Sequence, residues 1–131
     1  MRKGLVCNGM SKLKKEIVQC AVGAIEEMDP QKVSGRYCFP PDFIGFSGHF
    51  PGHPILPAFV QVMAALAVIE HWKGRSFELS CLERAKFRTE IHPGQEILVQ
   101  CREYGPQGAC GFEAKITTAE GLAASFLMKI I

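Results

Sequence analysis

Pro57-Ala58-Phe59-Val60-Gln61-Val62-Met63-Ala64-Ala65-Leu66-Ala67-Val68-Ile69-Glu70-His71-Trp72 is the stretch that decides how this chain folds. Pro57 suits the opening of a helix, where the first N–H groups lack partners and a fixed φ costs nothing. The run that follows is apolar on nearly every face until Glu70 and His71, and Gly74 supplies the stop. A helix with no polar face has to be enclosed. In a small domain a single such helix is enclosed only by a sheet that curls around it, so the expected class is α+β: an antiparallel sheet wrapped around one central buried helix.

Strand signals lie on both sides of that helix. Downstream, Phe77–Leu82, Ala85–Glu90, Ile97–Glu103, Gly111–Thr117 and Ala123–Ile130 read as strands. They are separated by turn signals at His92-Pro93-Gly94, at residues 104–108 and at Glu120-Gly121. Upstream, Val33–Phe39 has strand composition and Asp29-Pro30-Gln31-Lys32 reads as a turn. Residues 14–27 suit helix and strand almost equally, and the hairpin partner at 33–39 tips Ile17–Glu27 toward strand.

The 131 residues fit one domain over 1–131, with the cations Arg2, Lys3, Lys12, Lys14 and Lys15 in a flexible basic tail over 1–15. A content of 47% hydrophobic and 21% charged residues is that of a globular protein. No apolar run reaches the roughly 18 residues of a membrane span, and no secretory signal is evident, so a cytoplasmic location is expected. The net charge of +2 carries no basic stripe and indicates no nucleic-acid partner. Six cysteines form no CxxC pair and read as reduced, packing thiols.

Between strand and helix, residues 40–57 hold Pro40, Pro41, Gly45, Gly48, Pro51, Gly52, Pro54 and Pro57. Regular structure is excluded there, and a long stiff loop in a small domain is usually functional. Within it, Gly48-His49-Phe50-Pro51-Gly52-His53-Pro54-Ile55-Leu56-Pro57 holds His49 on constrained backbone directly before the helix start. The N–H groups of Ala58 and Phe59 point back toward that loop with the positive end of the helix dipole. A histidine beside such donors makes a proton-transfer unit next to an oxyanion site.

This loop and helix resemble the HFPGxPxxPG signature of the 3-hydroxyacyl-acyl-carrier-protein dehydratases, and Ala85-Lys86-Phe87-Arg88 with Ile91-His92-Pro93-Gly94-Gln95 resembles their AKFxxPVxPGD segment. The similarity spans roughly residues 17 to 131. It implies a hotdog fold and a dimer joined edge to edge, with acyl tunnels along the interface. It also implies a site built from one subunit's histidine and a carboxylate on the other subunit's helix. The family removes water across C2 and C3 of a 3-hydroxyacyl thioester: the histidine takes the C2 proton and the acid assists the hydroxyl to leave.

Carried across, the resemblance makes His49 the catalytic histidine and the N–H near Ala58 the donor to the thioester carbonyl. Phe50, Gly52, Pro57, Phe59 and Met63 fall among the substrate-binding positions. The acid is missing. The family's carboxylate falls fourteen residues after the histidine, where this chain has Met63, and loss of a general acid typically costs about 10² to 10⁴ in rate. Ala58 stands where glycine is usual. Gln61 does not ionise and Glu70 is two turns further along, which leaves His53 as the candidate replacement, its plainer reading being an exposed residue at a variable position. His71 and His92 read as surface residues.

Three functions share this pattern: a dehydratase with an incomplete His/acid dyad, a non-catalytic acyl or acyl-carrier-protein binding subunit, and an acyl thioesterase-like protein. The expected partners are an acyl-carrier protein or coenzyme A thioester and a second copy of the chain, or an acid-bearing homologue in a heterodimer. Neither a metal nor another cofactor is implied.

Overall fold

The computed structural model describes residues 8–46, 52–105 and 111–131. Two helices and six strands occur in the order α1 (Asn8–Gln19), β1 (Glu26–Asp29), β2 (Lys32–Cys38), α2 (Ala58–Lys73), β3 (Leu79–Phe87), β4 (Glu96–Tyr104), β5 (Gly111–Thr118) and β6 (Gly121–Ile130), with a short 3₁₀ turn at Ile44–Phe46. The strands form one sheet in the order β1-β2-β4-β5-β6-β3, and every neighbouring pair is antiparallel.

Period-two burial builds the inner face of the sheet. Ile97, Val99 and Cys101 of β4, Phe112, Ala114 and Ile116 of β5, and Phe126, Met128 and Ile130 of β6 are all buried in one cluster with α2. Every residue of α2 from Val60 to Ile69 is buried, as its lack of a polar face requires. Gly35 on β2 permits the close approach: a Cβ there would sit 3.1 Å from Val68 Cγ2 and 3.3 Å from Ile25 Cγ1. At its far end α2 is held by Trp72, which meets Phe112 edge to face at 6.3 Å and donates Nε1–H to Glu27 Oε1 at 2.6 Å. Gly74, left-handed at φ 72°, then closes the helix.

Two expectations need correction. The first helix, α1, takes in residues 8–15 of the stretch expected to be tail, and the central helix is therefore not the only one. Its Ile17 is fully buried and Leu13, one turn earlier, packs on the same cluster, while Lys14 Nζ reaches Glu70 Oε1 at 3.0 Å. The expected strand Ile17–Glu27 is thus a helix end followed by extended chain. Val22 N–H donates to Arg36 O (2.8 Å) and Cys38 N–H to Cys20 O (3.0 Å), so residues 20–22 do run beside β2. One window held both signals, which explains why neither period was clean.

The second correction concerns β3. The two strands expected at 77–82 and 85–90 are one strand, interrupted by a bulge. Glu83 faces Leu127 and Lys86 faces Ser125, so three steps on β3 match two on β6. Arg84 absorbs the extra residue at φ 51°, a left-handed conformation that costs a branched or long side chain about 1–2 kcal/mol. The strand lies at the sheet edge, exposed along almost its whole length, and shows Leu79, Leu82 and Phe87 to solvent.

Candidate functional site

Pro57 precedes α2 in extended conformation (φ −62°, ψ 149°), and no side chain among the described residues caps the helix start. Pro57 O accepts the N–H groups of both Val60 (3.1 Å) and Gln61 (3.2 Å). Ala58 and Phe59 are exposed, and their N–H groups stand at the helix end where the dipole adds positive potential. A carbonyl or developing oxyanion held there would be polarised by donors already in place. One turn in, Gln61 is buried: its Nε2 donates to Leu56 O at 3.2 Å, and its Oε1 has no partner among the described residues.

Met63 sits deeper in the helix, 7% exposed, in the hydrophobic cluster with Val60, Val62 and Leu66. A thioether in such surroundings is packing material and transfers no proton. Glu70 is engaged elsewhere, pairing with Lys14 and accepting the Phe77 N–H at 2.8 Å. Two of the thiols are held against ionisation: burial pushes Cys101 up to about 12, and burial followed by the charge of Glu16 raises Cys20. Cys20, Cys38, Cys81 and Cys101 form no disulfide.

The ionisable groups are gathered on the approach to the helix. Leu56 N–H donates to Ile91 O at 2.7 Å, which ties the segment before α2 to the connection between β3 and β4. Ile91 is buried, while its neighbours Glu90 and His92 reach solvent. His53 Nε2 lies 3.2 Å from Glu90 Oε1, and His92 Nε2 lies 3.7 Å from the same oxygen. The two imidazoles meet edge to face at 5.3 Å. His92 also places Nδ1 3.4 Å from Pro54 O and donates its backbone N–H to Gln95 Oε1 at 2.6 Å. The side chains of His53, Glu90 and His92 are 68%, 54% and 42% exposed.

Of the residues selected from sequence, the structure brings Pro57, Ala58 and Phe59 together at the helix start and puts Met63 in the core. His53 stands at the exposed cluster, and Gly52 beside it is exposed with φ 83°. His49 and Phe50 lie outside the described residues. Glu90 was missed. Its alternation with buried Ile91 and with His92 was legible, but the Leu56–Ile91 contact that carries His53 to it is long-range.

Residues 25–125 match the sequence model of the ApeI-like family, described as ApeI dehydratase. The chain belongs to this family. Among individual relatives, the 3-hydroxyacyl-[acyl-carrier-protein] dehydratase FabZ of Clostridium novyi is 28% identical over 108 residues, covering 76% of each chain. Among solved structures, the dehydratase heterocomplex ApeI:P from Xenorhabdus doucetiae superposes with a TM-score of 0.73 at 18% identity, covering 84% of this chain and 95% of that one. A hypothetical thioesterase protein with coenzyme A from Streptococcus pneumoniae matches with a TM-score of 0.61 at 12% identity, covering 93% and 96%. The ApeI-like chain is accordingly an α+β hotdog protein of the FabZ-like dehydratase group. No helix among its described residues is long and apolar enough to cross a membrane.

Proposed function

We propose that the chain is a dehydratase-type subunit of acyl-lipid or fatty-acid metabolism that binds a 3-hydroxyacyl thioester and supplies the basic half of the dyad, while a second chain supplies the acid. His49 takes the C2 proton, the Ala58 N–H polarises the thioester carbonyl, and a carboxyl group from the partner protonates the C3 hydroxyl so that it leaves as water. Phe50, Gly52, Pro57, Phe59 and Met63 flank the acyl and pantetheine path. The observation that carries this reading is Met63: the position of the acid is buried in an apolar cluster, and α2 has no carboxylate before Glu70.

A dimer is supported by β3. Most natural sheets blunt their edges with short or charged strands, as β1 does with Glu26, Glu27 and Asp29. β3 instead offers nine residues with exposed Leu79, Leu82 and Phe87, a surface suited to a second hotdog subunit. Two identical copies would pair each His49 with a Met63. A copy paired with an acid-bearing homologue would make one complete site per dimer, and the heterocomplex named for the Xenorhabdus relative fits such an assembly. Arg84, Lys86 and Arg88 line an open groove beside the β3 bulge, cations placed to meet the phosphates of coenzyme A or an acidic carrier protein. The reading places the protein in the cytoplasm.

Met63 also favours a second reading, a non-catalytic acyl or acyl-carrier-protein binding subunit, since methionine adapts to an acyl chain without chemistry. A thioesterase-like reading is weaker, because activating water needs a carboxylate and the candidate position is again Met63. One experiment separates them: assay the chain alone and mixed with an acid-bearing 3-hydroxyacyl-acyl-carrier-protein dehydratase whose own histidine has been replaced by alanine. Dehydration that appears only in the mixture, and vanishes with His49→Ala, supports the proposal. A mixed dimer that binds acyl thioester without turnover supports the binding reading, and full activity of the chain alone overturns both.

A further inference from the structure

We propose that His53, Glu90 and His92 form a binding site for a divalent transition-metal ion, with zinc the best match to their donors. The proposal is independent of the dehydratase reading. One donor atom from each residue lies within 4.8 Å of the others. Zinc bonds of about 2.0–2.1 Å at tetrahedral angles place neighbouring donors roughly 3.3 Å apart. The separations to Glu90 Oε1 are 3.2 Å from His53 Nε2 and 3.7 Å from His92 Nε2, so only small side-chain shifts are needed. Two imidazoles with one carboxylate suit zinc and its neighbours in the first transition row, and not magnesium or calcium, which take oxygen donors.

The surroundings of His92 suit a metal ligand. Its Nδ1 lies 3.4 Å from Pro54 O, which can only accept, while its Nε2 lies on the Glu90 side, 3.7 Å from Oε1. With Nε2 on the ion, the Nδ1–H···O=C contact becomes the outer support that orients a ligating histidine. The backbone is secured on each side: Leu56 N–H to Ile91 O at 2.7 Å, His92 N–H to Gln95 Oε1 at 2.6 Å, and Gly94 N–H to Phe39 O at 2.8 Å.

With three protein ligands the fourth position faces solvent, open to water or an anionic group. An ion bound here cross-links the segment leading into α2 with the β3–β4 connection, adding a clamp beside the Leu56–Ile91 hydrogen bond.

The test uses the full chain, free of any affinity tag and stripped with chelator, titrated with zinc by calorimetry and with cobalt(II) by visible absorption. The expected result is one ion per chain, a tetrahedral cobalt spectrum without a thiolate charge-transfer band, and a zinc-dependent rise in melting temperature. His92→Ala and Glu90→Gln should each weaken binding by roughly tenfold or more, and His71→Ala, on the exposed end of α2, should not. Circular dichroism checks that these exposed-site variants stay folded. Binding no tighter than millimolar, binding that survives both His53→Ala and His92→Ala, or a cobalt spectrum dominated by thiolate would each overturn the proposal.

Discussion

From Val60 to Ile69 every side chain of α2 is buried and none ionises, whereas at residues 53 and 90–92 three ionisable side chains stand half in water around a single carboxylate oxygen. The helix is built for enclosure and its approach for polar chemistry. A carboxylate on α2 needs water, a hydrogen-bond donor or a partner chain beside it, because an isolated charge in an apolar cluster is expelled or neutralised. With Met63 in that place the buried stretch of the helix carries no ionisable group, Gln61 being its one polar side chain. The capacity to move protons or hold ions is left to the loop side.

Breaking the helix wall should produce the largest effect on stability. Phe112→Ala removes the ring on which Trp72 rests and opens a cavity under the end of α2, and should cost about 4 kcal/mol in urea denaturation. A cost under about 1 kcal/mol would mean that the sheet does not anchor the helix there.

An intermediate effect comes from pH. Cys101 is fully buried on β4, donates its thiol to Ala65 O at 3.7 Å, and is pushed up to about 12 from the ordinary thiol value of 9.0 by loss of solvent. Between these values the unfolded chain gives up the proton while the folded chain keeps it. Stability is therefore fully present below pH 9 and falls as the pH rises, with this thiol contributing about 1 kcal/mol of loss by pH 10. Cys101→Ala should flatten that part of the alkaline unfolding profile. An unchanged profile would place the sensitivity elsewhere, Tyr37 being the other buried group with a raised value.

The exposed side should be nearly silent by the same measure. Glu90→Gln in metal-free protein removes only solvent-screened pairs with His53 and His92 and should shift stability by less than about 0.5 kcal/mol. A larger shift would show that the cluster supports the fold directly, and would erase the contrast between the two regions.

The sequence made the helix wall plain and the cluster obscure, for physical reasons. An all-round apolar run of Val, Ala, Leu and Ile admits one environment, and the Pro57 and Gly74 signals bracket α2 within one residue of its observed end. The alternation in β4, β5 and β6 was equally direct. Residues 14–27 misled because a helix end and an extended segment share one short window. The bulge at Arg84 looked like a strand break because an inserted residue interrupts alternation without ending the pairing. The His53–Glu90–His92 cluster depends on a backbone contact between Leu56 and Ile91, thirty-five positions apart, that no local pattern encodes. The reading of Met63 as a replaced acid comes only from the family resemblance, since a methionine in an apolar helix signals nothing by itself.

The most direct test of the account follows two reactions of one 3-hydroxyacyl thioester in deuterated buffer: exchange of the C2 hydrogen, which needs only His49 and the helix N–H donors, and formation of the enoyl product, which needs the acid as well. The account predicts that the chain alone exchanges C2 hydrogen in a His49-dependent manner and forms little or no enoyl thioester, and that Met63→Glu raises enoyl formation while His49→Ala abolishes both. Rapid enoyl formation by the unaltered chain alone, undiminished by His49→Ala, would contradict it.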